Sequence, residues 1–144
     1  MNNALTTLSR IEKFNINEQR KILIALQNQQ DEIQLKLDNL NLQFEKDKEC
    51  QRRNQLLGDF GAYVKKYLAE KEALETDIKN LETEIERVRD IISDMFKEQK
   101  TYEIIDKNRK ERAQHEEDLK IQKQLDEIGT NSYIKRHEEE QQGE

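Results

Sequence analysis

The chain has 144 residues, of which 33% are hydrophobic and 39% charged, with a formal net charge of -6 and a mean hydropathy of -1.12. That is the length of one ordinary domain with too little apolar material for a globular core, so two classes remain, disorder and coiled coil, and only the second needs a sustained heptad. The acidic balance, with a pI near 5.2, argues against general nucleic-acid binding, which requires a basic face to neutralise phosphates, though a local basic patch is allowed.

In chain order, the first predicted element is a long helix. Proline is absent and only four glycines occur, at 58, 61, 129 and 143, so little interrupts helical backbone. The start falls between Asn3 and Ser9, where "SRIE" at 9–12 has the form of a capping box. "NIN" at 15–17 reads as a weak spot. From there Leu23, Leu26, Ile33, Leu37, Leu40 and Phe44 repeat at three-four spacing, with Gln30 as the polar interruption, which gives one apolar seam.

The second helix carries the stronger seam, made by Tyr67, Leu74, Ile78, Leu81, Ile85, Val88, Ile92, Met95 and Tyr102. Extending the first phase unbroken through the glycines of "LLGDFGAY" would instead line up Glu72, Glu75, Lys79, Glu82, Glu86 and Arg89. Restoring the seam takes a one-residue slip, which is neither of the usual coiled-coil discontinuities. The chain therefore turns there. The expected fold is all-α, an antiparallel two-helix coiled coil forming a single domain over 1–144: helix 1 over about 3–56, a turn over about 57–61, helix 2 over about 62–128 and a frayed tail over 129–144. Folding about Asp59 pairs residues whose numbers add to about 118, so that Phe44 meets Leu74, Leu37 meets Leu81, Ile33 meets Ile85 and Asp47 meets Lys71. A register one heptad away also brings apolar layers together.

In that register residues after about Glu117 have no helix 1 beside them, yet Ile121, Leu125 and Ile128 form a short apolar stripe there. Either the N-terminal segment covers them, or they are simply exposed, or they are a docking surface. Charge is uneven as well. Residues 70–90 hold eight acidic and four basic side chains, 97–112 six basic and four acidic, and the first 21 residues four basic and two acidic. The segments near the termini are either solvated faces or a basic base that suits an acidic partner.

Chemistry-bearing motifs are missing. The sequence has no Gly-rich phosphate loop and no His or Cys cluster at metal-ligand spacing, and "HEED" and "HEEE" lack the second histidine of a zinc-binding helix. A two-helix coil has no room for a substrate pocket. The expectation is a non-enzymatic protein with no cofactor and no metal. The longest apolar run, "ILIAL" at 22–26, is far short of a membrane span, so a soluble, cytoplasmic protein without membrane insertion is expected. Cys50 stands alone beside acidic neighbours and reads as structurally passive.

Taken together, the "LTTLSRIEKF" opening, the break before "YVKKYLAEKEALETDI", the "FKEQKTYEIIDKNRKER" stretch and the closing "QKQLDEI" resemble the FliJ family, the coiled-coil stalk component of the flagellar type III export apparatus. The resemblance covers the whole chain, and "QKQLDEI" is its most specific part. The matched layers lead to the expectation of a monomer when free, and the resemblance implies a stalk whose terminal end docks in the ring of the hexameric export ATPase and promotes its assembly and activity. The stalk also binds the cytoplasmic domain of the export gate at the inner membrane's cytoplasmic face; family members have further been viewed as chaperones for export substrates. On this view Leu5, Leu8, Ile11 and Phe14, with Ile121, Leu125 and Ile128, face the ATPase, and Tyr63 and Tyr67 match the aromatic and large apolar positions of the gate-contacting surface. The next two positions of that face depart from the family pattern, carrying Glu70 and Leu74 where it has a small residue and then a polar one. The stalk proteins of virulence secretion systems are similar, and a self-associating coiled-coil scaffold is the alternative from another class.

Overall fold

The computed structural model describes residues 2–53 and 58–143, with the side chains of residues 2 and 3 left aside. Two helices account for nearly all of it: α1, Asn2–Arg52, and α2, Phe60–Gln142. Among the described residues there is no strand. The end expected for helix 1, residues 54–56, and the first residue expected in the turn, 57, lie outside the described residues.

Local chemistry sets the start of α2. Gly58 takes a left-handed backbone, φ 66°, which a side chain would disfavour. Asp59 then caps the helix: its Oδ1 accepts from the Ala62 N–H at 3.1 Å, while its carbonyl accepts the Tyr63 N–H at 3.1 Å. No comparable role falls to Ser9. The expected capping box lies inside α1, which already runs from Asn2, because nothing at 3–9 breaks helical backbone.

Packing divides the chain into two compact units, one formed by Met1–Ser9 with Gln99–Glu144 and the other by Arg10–Glu98, where the sequence suggested a single one. Within Arg10–Glu98 the two helices run antiparallel. Phe44 stacks on Tyr67 with ring centroids 3.9 Å apart and planes 3° from parallel. Farther along, the Arg20 guanidinium lies 5.0 Å from the Phe96 ring centroid.

The ring stack and the two phenol hydrogen bonds near the turn set a register different from the expected one, whereas the numbers of Arg20 and Phe96, farther along, add to 116. Residue numbers add to 111 for Phe44 and Tyr67, 110 for Asp47 and Tyr63, and 108 for Asn41 and Tyr67, whereas the sequence predicted about 118. The shift is one heptad. Phe44 therefore faces Tyr67 rather than Leu74, and Asp47 faces Tyr63 rather than Lys71. Sliding by seven exchanges one apolar layer for the next, so periodicity cannot choose between the two. What distinguishes them is specific: an aromatic stack and two hydroxyls with acceptors on the opposite helix, each hydrogen bond contributing ~0.5–1.5 kcal/mol.

Burial follows the observed register. Leu37, Ile85 and Val88 are buried, Val88 with 1% exposure, and so is Ile16 with 2%. Pairing at 111 sets Leu26 across from Ile85, Leu23 from Val88 and Ile16 from Met95. The "NIN" segment is thus a core layer and not a weak spot. Ile16 lies seven residues before Leu23, in the same heptad phase.

The tail differs too. α2 passes through Gly129 without interruption to Gln142, where fraying was expected, because one glycine costs a helix only ~1 kcal/mol. All residues from Lys107 to Gly143 are exposed. The uncovered stretch starts about ten residues earlier than the sequence placed it, and the heptad shift accounts for seven of them.

Two results are expected. In a Cys50→Ser background, a short bifunctional thiol cross-linker should join Leu37→Cys to Leu74→Cys efficiently and Leu37→Cys to Leu81→Cys poorly; the reverse preference would restore the 118 register. Ile85→Asp should destabilise the helix pair by about 3 kcal/mol or more, read in thermal melts, because it buries a carboxylate without a partner. Exposed Arg89→Asp should change little, within ~0.5 kcal/mol.

Candidate interaction surfaces

Helical spacing and the register position two groups of candidate residues. The first lies near the turn, in the Arg10–Glu98 unit. Phe60 stacks on Tyr63 at 5.8 Å between centroids, Tyr63 on Phe44 at 6.2 Å and Phe44 on Tyr67 at 3.9 Å. Phe60, Tyr63 and Tyr67 belong to α2, and Phe44 of α1 stacks on both tyrosines. Tyr67 is only 8% exposed; its hydroxyl donates to Asn41 Oδ1 at 2.6 Å, and Lys71 Nζ lies 6.0 Å from its ring centroid. Tyr63 is half-buried and its hydroxyl donates to an Asp47 carboxylate oxygen. Of the two tyrosines, Tyr63 presents the larger face to solvent. A shallow groove beside it is lined by Leu40, Gln43, Asp47, Lys66 and Glu70.

The second group is apolar and spread along the chain. Leu8, Ile11 and Phe14 are exposed, Phe14 the most, whereas Leu5 is buried and offers little surface. Ile121, Leu125 and Ile128 are 46%, 61% and 61% exposed. Their spacing of four and three puts them on one face of α2. Ile104, Ile105, Leu119, Tyr133 and Ile134 are exposed on α2 as well. Sequence reasoning did not find Phe44, Asn41 and Asp47 as partners of the tyrosines, because their proximity depends on register; an aromatic at 44 and two at 63 and 67, near a turn, were the available signal.

Two carboxylates meet within the same unit. Burial, and then the carboxylate of Glu98 together with a hydrogen bond to it, hold Glu12 above the usual glutamate range. Among the described residues no group of three or more His, Cys, Asp or Glu could hold a metal ion. No described helix is long and apolar enough to cross a membrane. Compared with protein-family models, curated proteins and solved structures, the chain finds no match in any of the three.

The electrostatics give two expected outcomes. The hydrogen bond to Asp47, followed by burial, pushes the Tyr63 phenol up to about 12 from 10.0. A raised value favours the neutral phenol in the folded state, so this contribution is complete below pH 10 and disappears as pH rises through about 12. In Asp47→Ala, ultraviolet titration should show the Tyr63 step moving back toward 10; an unmoved step would mean that the hydrogen bond is not its cause. Glu12 has the same sign, favouring the protonated form in the folded state. Glu12→Gln should therefore raise the melting temperature at neutral pH and lose that advantage on acidification through the ordinary glutamate range.

Proposed function

We propose that this chain is a non-enzymatic stalk of a type III protein export apparatus, of the FliJ kind, acting in flagellar biogenesis. It docks through its C-terminal helix in the ring of a hexameric export ATPase, promotes assembly and activity of that ring, and links it to the cytoplasmic domain of the export gate. It works at the cytoplasmic face of the inner membrane, bound there through the apparatus rather than inserted, and it is a monomer when free. Export substrates or their chaperones are further ligands on this reading.

The observation that carries the reading is the exposed stripe Ile121, Leu125 and Ile128 on one face of a long helix. Leu125 and Ile128 lie in the "QKQLDEI" segment, 122–128, that resembles the family most specifically, and Ile121 directly precedes it. A helical hairpin is the architecture the family requires, and Tyr63 with the neighbouring groove supplies an aromatic, charged surface suited to a gate partner. Apolar side chains in water gain ~1.5–3 kcal/mol each on full burial, so three of them can anchor a helix in a ring.

The test replaces Ile121, Leu125 and Ile128 together by serine. The melting temperature should stay within experimental error, since none of the three is buried. Stimulation of the cognate export ATPase should disappear, while binding to the isolated gate domain survives. A triple variant that stimulates normally would sink the ATPase reading, and one melting much earlier would show the stripe to be internal packing.

A further inference from the structure

Beyond Asp106 every described residue is exposed, and α2 stays helical without a break to Gln142. Steps of three and four from Ile121, Leu125 and Ile128 extend their face in both directions, to Asp118, Gln114 and Glu111 before the stripe and to Ser132, Lys135 and Glu139 after it. The charged residues nearest the stripe in sequence, Lys120, Lys123, Asp126 and Glu127, fall on other faces of the helix. Gln114 donates to Asp118 Oδ1 at 2.9 Å along the face, and a carboxylate can accept further bonds. Lys135 makes no ion pair among the described residues.

This face is complementary to itself when two copies run antiparallel. With residue numbers adding to 253, Leu125 meets Ile128 of the second copy, Ile121 meets Ser132, Asp118 meets Lys135, Gln114 meets Glu139 and Glu111 meets Gln142. Two-fold symmetry repeats every layer, and none sets an apolar residue against a charge. Around the face, Glu116, Glu117 and Asp118 lie level with His137, Arg136 and Lys135. Registers one heptad away lose the match. At 246 Ile128 meets Asp118, and at 260 Leu125 meets Lys135 and Ile121 meets Glu139. Parallel pairing would set each charge of the face against its own kind. The one like-charge approach in the 253 register is at the edge, between Glu117 and Glu138.

We infer that the exposed part of α2 pairs antiparallel with the same segment of a second copy, each covering the other's Ile121, Leu125 and Ile128. Charge selects direction and register, and apolar burial supplies the gain. Six apolar side chains fall well short of a permanent interface, so the pair forms in concentrated solution and the dilute chain is a monomer. The stripe assigned above to an ATPase ring cannot hold both partners at once. The pairing is measured on the protein alone, so the two readings fail separately.

Sedimentation equilibrium of the full chain, in a concentration series reaching the millimolar range, should show a reversible equilibrium between monomer and dimer. Asp118→Lys alone and Lys135→Asp alone should each weaken the dimer by about tenfold or more, since each sets like charges in two layers. An equimolar mixture of these two variants should recover the wild-type association, because the mixed pair again has opposite charges in both layers. Glu138→Lys should tighten the dimer by relieving the edge, and Leu125→Ser should abolish it. A monomer at every concentration would overturn the pairing. So would a dimer that tolerates Leu125→Ser, which would place the contact elsewhere, or a mixture no more associated than its separate components, which would refute the register.

Discussion

The stack of Phe44 on Tyr67 decides where everything else on the two helices falls. Heptad packing supplies most of the apolar burial, but it does so almost equally well in adjacent registers. The choice rests on a few directional contacts: ring planes 3° from parallel, a phenol reaching Asn41 and a second phenol reaching Asp47. Each is modest alone, about 1 kcal/mol. Together they are enough, because the competing registers start from near equality. The Asp59 cap and the left-handed Gly58 then place the first turn of α2 close to this ladder.

Class and topology were legible in the sequence because they follow from quantities that sum over many residues. Charge and hydropathy excluded a globular core, and the mismatch of seam phase across "LLGDFGAY" required a turn. Register was not legible, since a repeat of seven carries no absolute origin; neither Phe44 nor Tyr67 shows by itself which ring it meets. The end of α2 was misjudged for a different reason. Gly129 lowers helix stability without forbidding the conformation, so a rule about where helices are weak was read as a rule about where they stop. Ile16 was missed because asparagines on either side obscured its place in the repeat.

For the candidate surfaces, the sequence identified which residues are apolar but not which are available. Leu5 and Tyr67 turn out to be packing residues, whereas Tyr63, Phe14 and the three residues of the C-terminal stripe keep surface in water. The difference again follows from register and cover, both non-local. Tyr63 shows how a single side chain can serve two purposes: its hydroxyl is committed to Asp47, yet its flank borders the open groove.

The indifference of the seam to steps of seven bears on how such a chain can change length over evolution. A deletion of one heptad from α1 alone leaves its remaining layers in phase but moves each against a new partner. Removing one heptad from each helix, on the side of the aromatic ladder away from the turn, leaves the ladder untouched and shortens the pair by about 10 Å at ~1.5 Å per residue. Any other deletion rotates a polar face into the seam. The helix pair is therefore a ruler graduated in heptads, with its zero at Phe44 and Tyr67, and related chains of different reach should differ by matched multiples of seven while keeping the aromatic end unchanged.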